Sequence, residues 1–294
     1  MKKSFVIVGC GRLGTALARY LAGAGYRPAG FASRSLSSAK RAAAAAKANV
    51  PVSVLPWEVT SKADIVMITT PDGAIGETAD KIAEYRGVEK GAVVLHCSGA
   101  HASTELAAVR DCGAAIGSIH PLQSFVAENI EENPFAGIMM GVEGEQAAVE
   151  IAWQIAEKLG AHPFEIRTEK KMLYHASAVV ASNYMVTLMN LSLQLIIASG
   201  VPASKAFAIL KPLVQGTLSN IEKNGVPRAL TGPIARGDVE TVRDHLSEIS
   251  EKAPTRLELY RELGKHTIEV AEAKGDLSEE TAGELKTLLS ESDS

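Results

Sequence analysis

Ser4-Phe5-Val6-Ile7-Val8-Gly9-Cys10-Gly11-Arg12-Leu13-Gly14 is the stretch on which the reading of this chain turns. An apolar, β-branched run of strand length leads straight into three glycines spaced G-x-G-x-x-G, and Thr15-Ala16-Leu17-Ala18-Arg19-Tyr20-Leu21 follows with a helical pattern. Strand, glycine turn and helix in that order are the context that gives the spacing its meaning. Gly9 permits the tight turn, Gly11 lets the backbone approach a pyrophosphate, and Gly14 allows the helix to pack closely on the strand. The first helical N–H groups and the positive end of the helix dipole then face a phosphate. Gly9, Gly11, Arg12, Leu13 and Gly14 are therefore expected to hold a dinucleotide.

Outward from that turn, short apolar runs alternate with helix-like stretches. Strands are expected over 4–8, 28–32, 65–69, 92–96, 114–118, 138–142 and 162–166, with helices between them. Such alternation is the pattern of βαβ units, so the expected fold is α/β: an N-terminal Rossmann domain with a doubly wound, mostly parallel sheet over residues 1–166. From Thr168 onward no strand pattern remains, and Gly200-Val201-Pro202, Gly225-Val226-Pro227 and Gly232-Pro233 break the chain into helices. Residues 167–294 are expected to form an all-helical C-terminal domain for substrate binding and dimerisation. Its first helix, over 168–199, would be about 48 Å long. The helix is apolar on nearly every side from Tyr184 to Ala198, so it should be buried on most faces, either by its own neighbours or by a second subunit. A homodimer through the helical domain is the expectation. Asn190, Ser192 and Gln194 interrupt the apolar run, which falls short of the roughly 20 residues of a membrane span.

With 294 residues, 46% of them hydrophobic and 22% charged, the chain has the composition of a globular protein of two ordinary domains. A net charge of −4 supplies no basic field for a polyanion, so a small-molecule substrate is expected and nucleic acid is not. Cys10, Cys97 and Cys112 are odd in number and unpaired in spacing, which suits a reducing compartment. The first apolar run is too short for a signal peptide, and a cytoplasmic protein is expected. His162, His245 and His266 lack metal-ligand spacing, so no metal is expected.

The end of the second strand selects among dinucleotides. An NAD binder places an acid there for the ribose hydroxyls. Here the chain reads Phe31-Ala32-Ser33-Arg34-Ser35, with hydroxyls and a guanidinium suited to a 2′-phosphate. The expected cofactor is NADP(H), bound also by Thr70 and Pro71 at the end of the next strand and by Ser98 at the end of the one after. The reacting end is read from Ser98, which follows the strand ending at His96, and from His120, which follows the strand ending at Ser118. A Ser and a His from adjacent strand ends can hold a reacting oxygen and exchange its proton during hydride transfer. Each also has a structural reading, Ser98 as a helix cap and His120 as a brace before Pro121. On the long helix Lys171 and His175 are one turn apart, with Ser182 and Asn183 beyond, polar groups facing either a cleft or another helix. His120, Ser98, Asn183 and His175 make up the candidate catalytic set. Cys97 has no acylating partners and is read as a packing residue.

Gly9 to Gly14, Thr70-Pro71-Asp72, Cys97-Ser98-Gly99-Ala100, His120-Pro121-Leu122-Gln123, Ser182-Asn183-Tyr184 and Thr231-Gly232-Pro233-Ile234-Ala235-Arg236-Gly237-Asp238 together resemble a family of Rossmann-like proteins with a C-terminal helical domain of unknown function. That family is described as NADP-dependent or deazaflavin-dependent oxidoreductases. More distantly the chain is similar to ketopantoate reductases, pyrroline-5-carboxylate reductases, 6-phosphogluconate dehydrogenases and prephenate dehydrogenases. The resemblance to prephenate enzymes implies proton-exchange roles for Ser98 and His120. Asn183 matches an Asn of the ketopantoate and phosphogluconate enzymes, but their Lys four residues earlier is Val179 here. The function implied is hydride transfer to or from a small carbonyl, imine or hydroxy acid; the alternative is a non-catalytic NADP(H)-binding sensor or scaffold.

Overall fold

The computed structural model describes residues 2–123 and 132–291. Ser124 and Phe125, part of the strand-end stretch that begins at His120, lie outside the described residues. The chain divides into two compact units, Met1–Ala181 and Ser182–Ser294.

The first unit is an eight-stranded sheet. Its strands are β1 (Ser4–Val8), β2 (Arg27–Ala32), β3 (Val52–Ser53), β4 (Ile65–Ile68), β5 (Val93–His96), β6 (Ala115–Pro121), β7 (Met139–Gly144) and β8 (His162–Glu165). They lie in the order β3-β2-β1-β4-β5-β6-β7-β8. Every neighbouring pair is parallel except β6 and β7. The alternation along β1 shows why the sequence folds this way. Phe5 and Ile7 point into one apolar layer with Leu17, Leu21 and Phe31, whereas Val6 and Val8 point into the other with Val66, Ile68 and Ile82. A strand covered on both faces must be apolar throughout, which is why these runs are continuous.

Between strands run α1 (Arg12–Gly23), α2 (Leu36–Ala45), α3 (Ile75–Glu84), α4 (Ala107–Asp111) and α5 (Gln146–Lys158), and α6 (Lys171–Val179) follows β8. Helix α1 buries Leu17 and Leu21 completely or nearly so, each burial stabilising by roughly 1.5–3 kcal/mol. The two-residue strand β3 was not expected from sequence, being too short for a periodic signal. The strand expected over 114–118 runs on to Pro121, because antiparallel pairing with β7 continues the ladder through His120↔Gly141 and Pro121↔Met140. His120 thus stands inside a strand rather than beyond it.

The second unit is helical: α7 (Met185–Ala198), α8 (Ala203–Asn224), α9 (Val239–Lys252), α10 (Leu257–Lys274) and α11 (Glu279–Ser290). Its core comes from the last three helices, with Val242, Leu246, Ile268, Leu285 and Leu289 buried together. Asp238 caps α9 by accepting from Thr241 N–H at 3.1 Å. Two expectations need correction. The boundary expected at 166/167 falls instead at 181/182, because α6 packs on the sheet through Lys171 and Tyr174. The helical stretch 168–198 is largely exposed among the described residues, which overturns the expectation of cover by its own neighbours and leaves cover by a second subunit as the remaining alternative. By length and composition alone that stretch is apolar enough to cross a membrane. A π-turn at Val180–Tyr184 also shifts the face presented by Ser182 and Asn183, both of them exposed.

Candidate active site

The strand order reverses direction between β1 and β4, and a crevice at such a switch point is where ligands of doubly wound sheets sit. A cleft of ≈ 750 Å³ opens there, lined by the glycine turn, Ser33, Arg34 and Ser35 after β2, and Thr69, Thr70 and Pro71 after β4. Local geometry explains the turn. Gly9 has φ +99°, and a Cβ on Gly14 would lie 2.2 Å from the Gly9 carbonyl oxygen and 2.6 Å from Thr69 Oγ1. Thr69 Oγ1 donates to that same carbonyl at 2.5 Å, tying β4 to the turn. Gly14→Ala is accordingly expected to cost the first unit about 1–3 kcal/mol, read as a lowered urea midpoint.

This cleft fits a phosphate-bearing dinucleotide. Helix α1 has no side-chain cap and no acid in its first turn, so its N–H groups face open space, and nothing lies within 4 Å of a Cβ built on Gly11. Arg12, Arg34, Arg41 and Lys81 line the cleft against the single acid Glu77. Thr70 Oγ1 is buried and has no hydrogen-bond partner. Trp57 forms part of the wall, stacked on Tyr85 with ring centroids 4.2 Å apart.

A second constellation stands farther along the sheet, on β5, β6 and α6. His120 Nδ1 is 2.8 Å from Tyr174 Oη. Two imidazoles converge on Gly99: a Cβ there would lie 2.8 Å from His120 Nε2 and 2.7 Å from His175 Nδ1. His175 Nδ1 is buried without a hydrogen-bond partner among the described residues. Burial, then the charge of Lys171 and the neighbouring His175, pull the His120 pKa down to about 4, with Asp72 opposing. The ring is therefore neutral at pH 7. Burial pushes the Tyr174 phenol up to about 12, so it keeps its proton. Ser98 is buried, and its Oγ accepts from Ala100 N–H at 3.1 Å and His101 N–H at 3.0 Å.

Beneath His120 lies a buried ion pair, Lys171 Nζ to Glu143 Oε1 at 2.9 Å, each side chain 1% exposed. Glu143 also accepts from Ser103 N–H and Oγ at 2.8 Å each, from Ser118 Oγ at 2.7 Å and from Thr168 Oγ1 at 2.8 Å. Lys171 donates to Ser118 Oγ as well. Burial alone would raise the Glu143 carboxyl, but the Lys171 charge and these hydrogen bonds hold it at about 2.

Two family models match the chain: a Rossmann-like domain over residues 1–121 and a domain of unknown function, DUF2520, over residues 138–267. Protein TM1727 from Thermotoga maritima is 30% identical and superposes with a TM-score of 0.72, covering 92% of this chain and 99% of that one. The chain belongs to the Rossmann-like, DUF2520 family. BF3122 from Bacteroides fragilis, named as a candidate NADP oxidoreductase, is 24% identical with a TM-score of 0.70 over 91% of this chain and 98% of that chain. A reductive aminase from Aspergillus terreus, solved with NADPH and ethyl-5-oxohexanoate, is 14% identical with a TM-score of 0.62 over 98% of this chain and 93% of that one. These two share the fold. No curated protein matches the chain in sequence.

In this DUF2520 protein the cofactor residues read from sequence, other than Gly14 and Ser98, all line the one cleft, Gly14 lying under it. Among the catalytic candidates, His120 and His175 come together, and Ser98 stands next to Gly99 with its oxygen already accepting two backbone N–H groups. Asn183 belongs to the second unit, on the π-turn. Sequence reasoning missed Tyr174 and Glu143. A carboxylate inside the apolar run Met139-Met140-Gly141-Val142-Glu143 was the available signal for the latter, since buried acids require partners. Arg41 and Lys81, on helices beside the cleft, carried no signal that separates them from solvated surface cations. Cys97, set aside as a nucleophile, is a buried thiol pushed up to about 12 by desolvation.

Proposed function

We propose that this protein is an NADP(H)-dependent oxidoreductase that transfers a hydride to or from a small carbonyl, imine or hydroxy-acid compound. One observation carries the reading: on the sheet that forms the cationic glycine-turn cleft, His120 has Nδ1 held by Tyr174 and Nε2 2.8 Å from where a Cβ on Gly99 would lie. The relatives whose names mention NADP or NADPH share the fold and support the class. Bound NADP(H) supplies the hydride donor or acceptor. Gly9, Gly11, Arg12 and Leu13 would hold its pyrophosphate, and Ser33, Arg34 and Ser35 its 2′-phosphate, with Arg41 a further cation. When the substrate is oxidised, its C–H electron pair leaves as hydride, its hydroxyl O–H bond breaks toward His120 Nε2, and the C=O bond forms. That role requires Nδ1–H to donate to Tyr174 Oη, leaving the Nε2 lone pair for the substrate. His175 Nδ1 converges on the same Gly99 position, and Ser98 shapes the turn that carries Gly99.

Calorimetric titration with NADPH and NADH in parallel tests the cofactor. NADPH is expected to bind more tightly, and Arg34→Ala to lose about 1.5–3 kcal/mol of NADPH binding while leaving NADH unchanged. Equal affinities in the unaltered protein would remove Arg34 from the 2′-phosphate site, and no binding of either would leave only the fold.

The helical unit supports a homodimer. Val186, Leu188, Phe207, Ile209, Leu213 and Leu218 are exposed on α7 and α8, and exposed apolar side chains grouped on neighbouring helices are the kind of surface that marks an interface. A second copy of the chain supplies a matching apolar face. Light scattering is expected to give twice 31.0 kDa, and Leu213→Glu, at a position 67% exposed here, to halve it. A monomer in both cases would sink this assignment.

A further inference from the structure

The ion pair under His120 raises a question of cost. Replacing a buried pair by well-packed apolar side chains is often neutral or stabilising, so stability by itself gives no reason to bury Lys171 and Glu143. Their placement supplies one. Ser118 precedes His120 by two residues on β6, so both project from the same face of the sheet, while Tyr174 and His175 follow Lys171 by three and four residues on one face of α6. Lys171 bonds Ser118, and Tyr174 bonds His120: helix and strand are joined at two successive levels, the lower one buried and ionic, the upper one bearing the imidazole. Glu143 completes the lower level by drawing in Ser103 and Thr168 from either side. A helix turns by about 100° per residue, so even a slip of one residue at Lys171 would carry Tyr174 away from Nδ1 and His175 away from Gly99.

We propose that Glu143 and Lys171 are positioning residues that act through His120: the pair pins α6 to β6 and β7, which presents Tyr174 to Nδ1, restricts the ring to a single tautomer and keeps a second positive charge off it. The last effect has a direct physical origin. An ammonium ion in a dry setting repels any cation formed nearby, and that repulsion is screened far less than at a surface. Three groups facing the imidazole belong to α6: Lys171 and His175 oppose its protonation, and the neutral Tyr174 bonds it. Asp72, at the end of β4, favours protonation. Removing Lys171 therefore takes away the largest charge opposing the imidazolium, while burial and His175 continue to oppose it. The assignment rests on the proposed function only for its effect on turnover; the state of the ring is measurable without substrate.

The test is nitrogen-15 NMR of histidine-labelled protein, His120 being assigned from the spectrum of His120→Gln. In the unaltered protein His120 is expected to stay neutral down to about pH 4, with two well-separated nitrogen shifts from one tautomer. In the double variant Glu143→Gln with Lys171→Met, which leaves no buried charge unpaired, the midpoint is expected to rise toward the ordinary value of about 6.5 and the two shifts to draw together as tautomers mix. Tyr174→Phe separates the two effects, mixing tautomers while the midpoint moves less. If the double variant fails to fold by near-ultraviolet circular dichroism, Ser118→Ala loosens the same anchor with no charge removed and is expected to mix the tautomers. A folded double variant, or in its place a folded Ser118→Ala protein, that keeps the unaltered shifts would overturn the proposal. Absence of turnover in the unaltered protein, with the NMR result as expected, would count against the oxidoreductase reading alone.

Discussion

With His120 replaced by alanine, kcat/KM is expected to fall about 10²- to 10⁴-fold, the range a positioned proton-exchanging group supplies, while NADPH affinity holds. The glycine-turn cleft proposed for the cofactor does not include His120, so the two quantities separate. The pH dependence carries a sign that the structure dictates. With its pKa drawn down to about 4 by burial and by Lys171 and His175, the ring is a base throughout the neutral range. Oxidation of a hydroxy compound, which needs that base, is expected to run level from neutral pH and decline as pH falls through about 4. Reduction needs the imidazolium and is expected to quicken over the same descent. Rate measurements in both directions across this range check the point, and undiminished turnover in the alanine variant would take His120 out of the mechanism. Should NADPH bind tightly with no compound turned over, the non-catalytic sensor becomes the better account.

Lys171→Ala is expected to destabilise the first unit by about 3–5 kcal/mol, since it strands Glu143 as a buried, uncompensated carboxylate. Urea denaturation monitored on the first unit measures this. The acid side distinguishes an electrostatic loss from a packing loss. In the unaltered protein Glu143 has its pKa lowered from 4.5 to about 2, so its stabilising contribution is complete above 4.5 and disappears as pH falls toward 2. His96 and His120, each lowered from 6.5 to about 4 chiefly by burial, also take up protons less readily folded than unfolded. Their contribution is complete above 6.5 and is lost by about 4, so the protein should weaken in two overlapping stages on acidification. Without Lys171, desolvation favours the protonated Glu143, and the deficit of the variant should shrink as pH falls below 4.5. A deficit independent of pH would mark the loss as one of packing.

The lining of the glycine-turn cleft was legible and the grouping around His120 only partly so, for a reason visible in particular residues. Gly9, Gly11 and Gly14 serve a turn a few residues long, and Ser33, Arg34 and Ser35 follow the next strand, so their meaning lies in local spacing and local chemistry. Glu143 and Lys171 are 28 residues apart and Ser118 and Lys171 are 53 apart; nothing in either neighbourhood names the other. Tyr174 reads as one more aromatic residue on an apolar helix until pairing with β7 carries β6 past Ser118 to Pro121, which brings His120 to it.

The sequence by itself determined the class of fold and the place of the glycine turn at the sheet edge, because a strand buried on both faces must be apolar throughout and a tight glycine turn joins it to the helix that follows. It also determined that the second half is helical, through its breaks at glycine and proline. Tertiary structure alone decided where the units divide, which cations share the cleft, and that a lysine on a helix would be buried with a glutamate from the sheet. Those outcomes depend on which elements meet across long stretches of chain, and pairing energies between distant residues leave no periodicity to read. The same holds for the apolar helix over 168–198: its hydrophobicity was plain, and only the structure showed that it is largely exposed among the described residues.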